Sequence, residues 1–238
     1  MRTAPSCLLR TLTVAASQLF ALQSLTLGWT QTSAALRAAL APCANLRTLA
    51  LKWFACELAE TLALLAALPR LERIEWRNNA LTSLEAFRSD TSVAWDGQLP
   101  VETFCLGSPP DIHACTFLPW LARRAKLERI IVADIAGHWH HEHLLSELLS
   151  NFSSDHVKEL ELGFSLREGW EEEDLSMFDW AGFVGVLLVG QYSRLDSLVV
   201  KTSAVTGDAR NVCYPYIRTQ LDSLFGRRDG LAIAVHIG

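Results

Sequence analysis

The side chains best suited to chemistry lie in one short run, GHWHHEH. It contains His138, His140, His141, Glu142 and His143, and imidazole and carboxylate groups are ligands that zinc prefers. The spacing is unfavourable, because histidines that share a helix face lie four residues apart and the H-E-x-x-H pattern is absent. A polar loop before the following helix explains the run without a metal. We therefore predict no metal site, and a metal-dependent enzyme that uses this run stays the alternative.

Other patterns of catalytic or binding sites are weaker still. The acidic run Glu171, Glu172, Glu173 and Asp174 precedes a predicted helix, where the helix dipole stabilises carboxylates, and it lacks the alternating ligands of a calcium loop. A phosphate-binding glycine loop and a G-x-S-x-G elbow are both missing. We therefore expect no catalytic residue, no cofactor and no enzymatic activity.

Composition bounds the class of protein and of partner. The chain has 238 residues, of which 50% are hydrophobic and 20% charged, with a formal net charge of −5. This is the usage of a folded protein, and the acidic balance disfavours nucleic acid as the main partner. The apolar runs are too short for a membrane span. We expect a location in the cytoplasm or nucleus.

The cysteines and the N-terminal residues also bear on the expected cellular location. The six cysteines are scattered, with Cys105 in a predicted strand and Cys43 and Cys115 in helical stretches. They are expected to be reduced and to fill small spaces in the core. The first residues, MRTAPSCLLRTLTVAAS, resemble a secretory signal, although Arg10 interrupts the apolar part. A secreted recognition receptor is therefore a further alternative.

A six-residue apolar template recurs along the chain. It consists of an apolar residue, two variable residues, an apolar residue, one variable residue and an apolar residue. The units are Leu22-Leu25-Leu27, Leu46-Leu49-Leu51, Leu71-Ile74-Trp76, Val101-Phe104-Leu106, Leu127-Ile130-Val132, Val157-Leu160-Leu162 and Leu195-Leu198-Val200. Their starts are separated by steps of 24, 25, 30, 26, 30 and 38 residues. Such a period is the mark of a repeat architecture.

Helical stretches separate the predicted strands. We place helix starts at Thr32 or Ser33, at Asp111 and at Asp174, and Pro69 after the stretch ELAETLALLAAL ends another helix. Alternating strands and helices indicate an α/β fold with a parallel sheet. A doubly wound fold shows the same alternation, but it does not require one template seven times.

The whole chain, residues 1–238, is therefore predicted to be one domain. It has about seven strand–helix units, a truncated N-terminal unit at Leu9-Leu12-Val14, and a closing strand at Ile233, Val235 and Ile237. Stacked units bury a continuous core that one unit alone could not bury. We expect a monomer unless the N-terminal edge strand pairs with a second copy.

The template L-x-x-L-x-L resembles the leucine-rich-repeat family along nearly the whole chain. The resemblance implies a ribonuclease-inhibitor-like solenoid, a curved parallel sheet with outer helices, here with irregular repeats. The family places Asn or Cys after each strand, where the side chain bonds to backbone. In this chain those positions hold Thr30, Phe54, Asn79, Pro109, Ile135, Ser165 and Ser203. Because only Asn79 matches, the turns should be divergent.

Phrases such as LPRLERIEW and QYSRLDSLVVKTS resemble the repeat portions of fungal F-box proteins. In that family the repeats select a substrate, and an F-box docks to a cullin-type ubiquitin ligase. This sequence has no F-box. The resemblance implies a protein-interaction module, including the substrate-recognition part of such a ligase receptor, with a protein as its partner.

Alternation along each strand predicts which residues would bind that partner. The third, fifth and seventh positions of every unit point away from the core. A basic patch around Glu75, two acidic residues and two tryptophans just past their strands give the predicted binding set: Lys52, Arg73, Glu75, Arg77, Arg129, Glu159, Glu161, Trp29 and Trp53. This face should be polarised, basic on one side and acidic on the other, which would steer a charged partner. Ordinary solvated charges and tryptophans that cover the core edge remain the simpler interpretation.

Overall fold

The computed structural model describes residues 20–89, 98–107, 111–135, 142–150, 156–165, 175–176, 178–188, 192–203, 207–225 and 230–237. Strands and helices alternate there, as the sequence predicts. The strands are β1 (Ser24–Gly28), β2 (Thr48–Lys52), β3 (Ala55–Cys56), β4 (Arg73–Arg77), β5 (Ala80–Leu81), β6 (Thr103–Leu106), β7 (Arg129–Ile135), β8 (Glu159–Ser165), β9 (Ser197–Ser203) and β10 (Ala232–Ile237). The helices are α1 (Ala34–Leu40), α2 (Leu58–Ala66), α3 (Leu84–Ser89), α4 (Ile112–Ala122), α5 (Glu142–Ser150), α6 (Trp180–Leu188) and α7 (Gly207–Phe225).

Eight of these strands form one sheet in which all neighbouring pairs are parallel. Their order is β1-β2-β4-β6-β7-β8-β9-β10, the order of the chain itself. A doubly wound sheet reverses strand order at a switch point, and the described strands contain no such reversal. The α/β class and the parallel sheet are confirmed. The sequence did not predict β3 and β5, which form a second, two-stranded sheet.

One hydrogen-bond arrangement sets the register of the large sheet. The backbone carbonyl of Gln23, just before β1, accepts the N–H groups of Arg47 and Thr48 at 2.8 and 2.9 Å. The same double acceptance recurs before β2, β4, β6, β7 and β8, at Arg47, Glu72, Glu102, Glu128 and Lys158, and Asp196 before β9 accepts the Ala232 N–H at 2.9 Å. Equivalent positions of successive units therefore lie side by side. We call this arrangement the carbonyl ladder.

The core lies between the sheet and the helices. Inward strand residues such as Leu49 and Leu160 are fully buried and share one continuous cluster with helix residues such as Leu64 and Phe117. Helices next to each other in sequence also pack together, as α3 does with α4 and α6 with α7. The helices thus cover one face of the sheet with apolar side chains, and the other face carries the polar positions of the template.

Most helix boundaries follow the predicted caps. Ser33 Oγ accepts the Leu36 N–H at 3.2 Å, and Asp111 Oδ1 accepts the Ala114 N–H at 2.7 Å. Residues 175–176, directly after the start predicted at Asp174, are helical. The longer helix α6 begins only at Trp180, because Asp179 Oδ1 accepts the Gly182 N–H at 2.8 Å and so caps it. Helix α3 was not predicted, since its six residues carry too short a periodic signal.

Asn79 shows why a single asparagine after a strand matters. Its side chain is 1% exposed. Its Oδ1 accepts the Phe54 N–H at 2.8 Å, and its Nδ2 donates to the Leu51 carbonyl at 2.9 Å. One side chain therefore satisfies two backbone groups of the preceding unit, as the resemblance to leucine-rich repeats implies for this position. The predicted closing strand is confirmed as β10, and the unit Leu9-Leu12-Val14 lies outside the described residues.

We predict that Leu160→Ala destabilises the chain by about 2–5 kcal/mol, because it removes a fully buried side chain from the middle of the stacked core. The matched control is Ser197→Ala in the neighbouring strand, on the opposite face, where the loss should stay within about 0.5 kcal/mol. Urea unfolding followed by circular dichroism measures both. Equal losses in the two variants would contradict this division of the sheet into a buried and an open face.

Asn79→Ala is expected to cost about 2–4 kcal/mol of unfolding free energy, since it leaves the Phe54 N–H and the Leu51 carbonyl unpaired. Asn45 offers the control. Its side chain also bonds to backbone, donating to the Phe20 carbonyl, but this contact is exposed. Asn45→Ala should therefore lose less than about 1 kcal/mol. A similar loss in both variants, measured by urea unfolding, would refute the role given to Asn79.

Candidate binding face of the sheet

The polar positions of the template line up in three rows across the sheet. We call the surface formed by these rows the open face. The first row is Ser24, Thr48, Arg73, Thr103, Arg129, Glu159, Ser197 and Ala232; the second is Thr26, Ala50, Glu75, Cys105, Ile131, Glu161, Val199 and Ala234. The third contains Gly28, Lys52 and Arg77 at one end and Gly163, Lys201 and His236 at the other. Register alone thus brings together side chains up to 38 residues apart in adjacent strands.

The C-terminal half of the open face is a closed network of ion pairs. Glu161 is 8% exposed and accepts hydrogen bonds from Arg129 and Lys201, both at 2.7 Å. Arg129 also contacts Glu159 at 3.1 Å. The predicted separation into a basic and an acidic side is therefore wrong here. Arg129, assigned to the basic patch around Glu75, turns instead to the two glutamates of β8 and neutralises them together with Lys201.

These contacts change the acidity of Glu161. Burial raises the pKa of its carboxyl, but the hydrogen bonds and charges of Lys201 and Arg129 outweigh burial, so the net pKa lies below the ordinary value of 4.5. The carboxylate is therefore ionised at neutral pH. It holds two cations at fixed positions on the open face, and it is not poised to act as a general acid or base near pH 7.

The N-terminal half of the open face has unpaired cations. Arg73 bonds to Glu75 through Nε at 3.1 Å and Nη2 at 3.0 Å. Lys52 and Arg77 are register partners on β2 and β4, and neither makes an ion pair or side-chain hydrogen bond with any described residue. The predicted binding set contains four cations. Of these, Lys52 and Arg77 carry the positive charge that no described anion neutralises.

A glycine makes room for the Arg77 side chain. A Cβ atom at Gly107 would lie 2.5 Å from Arg77 Nε and 2.8 Å from its Cγ, closer than real contacts allow. Arg77 therefore packs across the end of β6, and its Nε is buried with no hydrogen-bond partner in the part of the chain that the structure describes. Gly107 is the seventh, outward position of the unit that starts at Val101. The sequence does not reveal its role, because the contact depends on the rotamer of a side chain 30 residues away in the chain.

Trp29 and Trp53 form a stacked pair just past β1 and β2. Their ring centroids lie 5.3 Å apart with planes inclined by 13°, and the residues are 81% and 51% exposed. Both have positive φ, 57° and 53°, and each backbone N–H donates to the carbonyl that ends the next strand, Trp29 to Lys52 and Trp53 to Arg77. The rings stack on each other, and Trp29 in particular lies largely in solvent and does not cover the core edge.

The middle row of the open face is tightly packed. Ala50, Cys105, Ile131 and Glu161 are all less than 9% exposed, yet the first three do not belong to the apolar core. Cys105 was expected to be a core residue; it is buried, but on the opposite face, among Arg73, Glu75, Arg77 and Glu161. Burial raises the pKa of its thiol, so the thiol is protonated at neutral pH and is a poor nucleophile.

The other candidate sites of the sequence lie largely outside the described residues. His138, His140 and His141 lie outside the described residues, as do Glu171, Glu172, Glu173 and Asp174, and only the backbone of Glu142 and His143 is placed, in α5. Among the described residues, no three His, Cys, Asp or Glu side chains are grouped to hold a metal ion. Within the same part of the chain, no helix has the length and hydropathy that crossing a bilayer requires.

Comparison with known proteins does not assign the chain. A scan of the sequence against models of protein families gives no match. A search of curated proteins finds no significant relative either. The function must therefore be inferred from the open face itself.

The network around Glu161 predicts a pH-dependent stability. Its lowered pKa means that the carboxylate stabilises the fold fully above about pH 4.5 and that this contribution is lost as the pH falls through the folded-state pKa. Glu161→Gln should therefore be less stable than the parent at pH 7, by about 1–3 kcal/mol. The gap should close below pH 4.5.

Urea unfolding between pH 7 and pH 3 measures this gap. Glu72→Gln is the control, because the Arg47–Glu72 pair joins the same two residue types at 2.6 Å but is about half exposed. That variant should differ from the parent by less than about 1 kcal/mol at pH 7. A Glu161→Gln gap that stays constant down to pH 3 would show that the network does not hold the carboxylate as described.

Proposed function

We propose that this chain is a leucine-rich-repeat solenoid that binds a protein partner through its open face. The observation that carries the proposal is the row arrangement, in which charged, polar and small side chains from all eight strands of the large sheet meet on one surface opposite the helices. Three features support the repeat assignment. They are the template period, the strand order that follows the chain, and the two backbone hydrogen bonds of Asn79.

The dimensions of the open face suit a protein partner. Adjacent strands lie about 4.8 Å apart, so eight strands span about 34 Å. A standard protein interface buries about 800 Å² on each side, which is roughly 28 Å across if square. A small metabolite binds instead in a concave pocket lined mainly by apolar groups, whereas the rows carry Arg129, Glu159, Glu161 and Lys201 in a polar, ion-paired network.

A narrower form of the proposal is substrate recognition for a cullin-type ubiquitin ligase. It is supported by the resemblance of the repeats to those of fungal F-box proteins, and the open face would then hold the substrate. Mapping the 5′ end of the transcript tests it directly. An F-box-like segment encoded in frame upstream of Met1 would support it, whereas a stop codon there would leave a free-standing binding module.

Site-specific photocrosslinking tests the broader proposal. A photoreactive phenylalanine analogue is placed at Thr103 or Val199 on the open face, and at Ala59, which is exposed in α2, as the control. In a lysate of the source cells, both open-face positions should crosslink to the same protein, identified by mass spectrometry and then reproduced with purified components. Crosslinking from Ala59 alone, or to different proteins from each open-face position, would contradict binding through the open face.

A further inference from the structure

We propose that the N-terminal end of the open face binds an acidic segment of the partner, with a carboxylate between Lys52 and Arg77 and an adjacent apolar side chain on the Trp29–Trp53 stack. We call these four residues the tryptophan–cation site. The inference rests on the proposed function, because it specifies which kind of segment the open face selects. Its evidence is the pairing of charges along the sheet, the packing of Arg77 and the exposure of the tryptophans.

The N-terminal end of the open face differs from the C-terminal end in how its cations are paired. Lys201 is matched by Glu161 at 2.7 Å. Lys52 and Arg77 lie directly opposite each other on adjacent strands, and like charges in that relation repel. Neither has an anionic partner among the described residues. A carboxylate placed between them would supply the neutralising charge that the C-terminal half of the open face obtains from its own glutamates.

The Arg77 side chain is already held in place for such a contact. It packs against Gly107, which restricts its aliphatic part, and its buried Nε lacks a partner. Arg77 as a whole is partly exposed, which leaves part of its side chain open to an incoming group. A guanidinium with a fixed position binds a planar carboxylate through two parallel hydrogen bonds and loses little side-chain entropy in doing so.

The tryptophan pair supplies the apolar part of the site. An 81% exposed tryptophan leaves a large apolar surface in water, and tryptophan is among the residues that contribute most binding energy in interfaces. The positive φ angles and the N–H bonds to the next strand fix the two backbones. The stack is therefore a rigid platform on which a flat or branched apolar side chain can pack.

The spacing of the two parts defines the ligand. Trp53 directly follows Lys52, and Lys52 lies one strand away from Arg77. Strands are about 4.8 Å apart and an extended residue spans about 3.4 Å, so the acidic and apolar side chains of the partner should be about one to three residues apart. A segment such as Asp-x-Phe or Glu-Tyr fits this description.

A nucleic acid fits less well than an acidic peptide. The other cations of the open face, Arg73, Arg129 and Lys201, already contact Glu75, Glu159 and Glu161, so they offer a continuous polyanion little further charge. The chain as a whole also carries a formal charge of −5. A single carboxylate needs only the two cations of the tryptophan–cation site. The experiment therefore includes single-stranded DNA as a competing class of ligand.

The test uses labelled synthetic peptides and the full chain, with fluorescence anisotropy as the readout. One peptide carries Asp two residues before Phe; in two matched peptides Lys replaces Asp or Ala replaces Phe. We expect the first peptide to bind at least about tenfold more tightly than either matched peptide. Equal binding of the three, binding of none, or tighter binding of single-stranded DNA would overturn the proposal.

Variants of the chain then assign the binding to these residues. Lys52→Gln with Arg77→Gln should weaken binding of the acidic peptide at least about tenfold. Trp29→Asn with Trp53→Asn should do the same; Asn is chosen because Asn78 has a similar positive φ of 50° one unit further on. Lys126→Gln, which removes an exposed cation ahead of β7 at the opposite end of the strands, should leave binding unchanged. Unchanged unfolding midpoints would show that the variants fold.

Failure of this inference can be told apart from failure of the proposed function. If crosslinking from Thr103 and Val199 persists at the parental yield in the Lys52→Gln and Arg77→Gln variant, the open face binds a partner. The proposal that this partner binds through an acidic segment would then be wrong. If neither open-face position crosslinks a partner, the proposed function fails. Tight binding of the acidic peptide would then still assign the tryptophan–cation site as a peptide site.

Discussion

The carbonyl ladder is the constraint on which the rest of the structure depends. In six of the eight strands of the large sheet, the preceding residue accepts two N–H groups from the start of the next strand, at Gln23, Arg47, Glu72, Glu102, Glu128 and Lys158. A slip of one residue would turn every side chain of a strand to the other face. Because the ladder fixes the strand starts, each template places its apolar residues against the helices and its variable residues on the open face, however long the connecting segments are.

That constraint lets distant residues build one surface without any local motif. Glu161 meets Arg129 and Lys201 because three strands share one register, and the same register places Lys52 opposite Arg77. The open face therefore has two characters. Its C-terminal half pairs its own charges. Its N-terminal half holds two cations with no ion-pair partner among the described residues, and two exposed tryptophans lie just past its first two strands.

The sequence predicted the strands well because their signal is local. Leu46, Leu49 and Leu51 identify β2 by type and spacing alone, and Ser33 and Asp111 are recognisable caps. The pairing of Glu161 was not predictable in the same way, since it depends on cross-strand register and on the rotamers of long side chains. The position of Cys105 shows the same limit: alternation placed it outward, whereas its burial follows from neighbouring strands that pack around it.

The two tryptophans show that residue types alone do not define a site, because backbone conformation decides where the side chains lie. Trp29 and Trp53 could be named from the sequence as aromatic residues just past two strands, but their stacking follows from the left-handed backbone that both adopt. The role of Gly107 became visible only through the packing of Arg77. Helix α3 and the small β3–β5 sheet were missed because segments of two to six residues carry little periodic signal.

A crystal structure of the chain bound to its crosslinked partner tests binding through the open face most directly. We expect the partner to lie along the rows of the open face, with a carboxylate oxygen within about 2.7–3.2 Å of a nitrogen of Lys52 or Arg77 and an apolar side chain against Trp53. A partner seated on the helices, with the open face left to solvent, would contradict it.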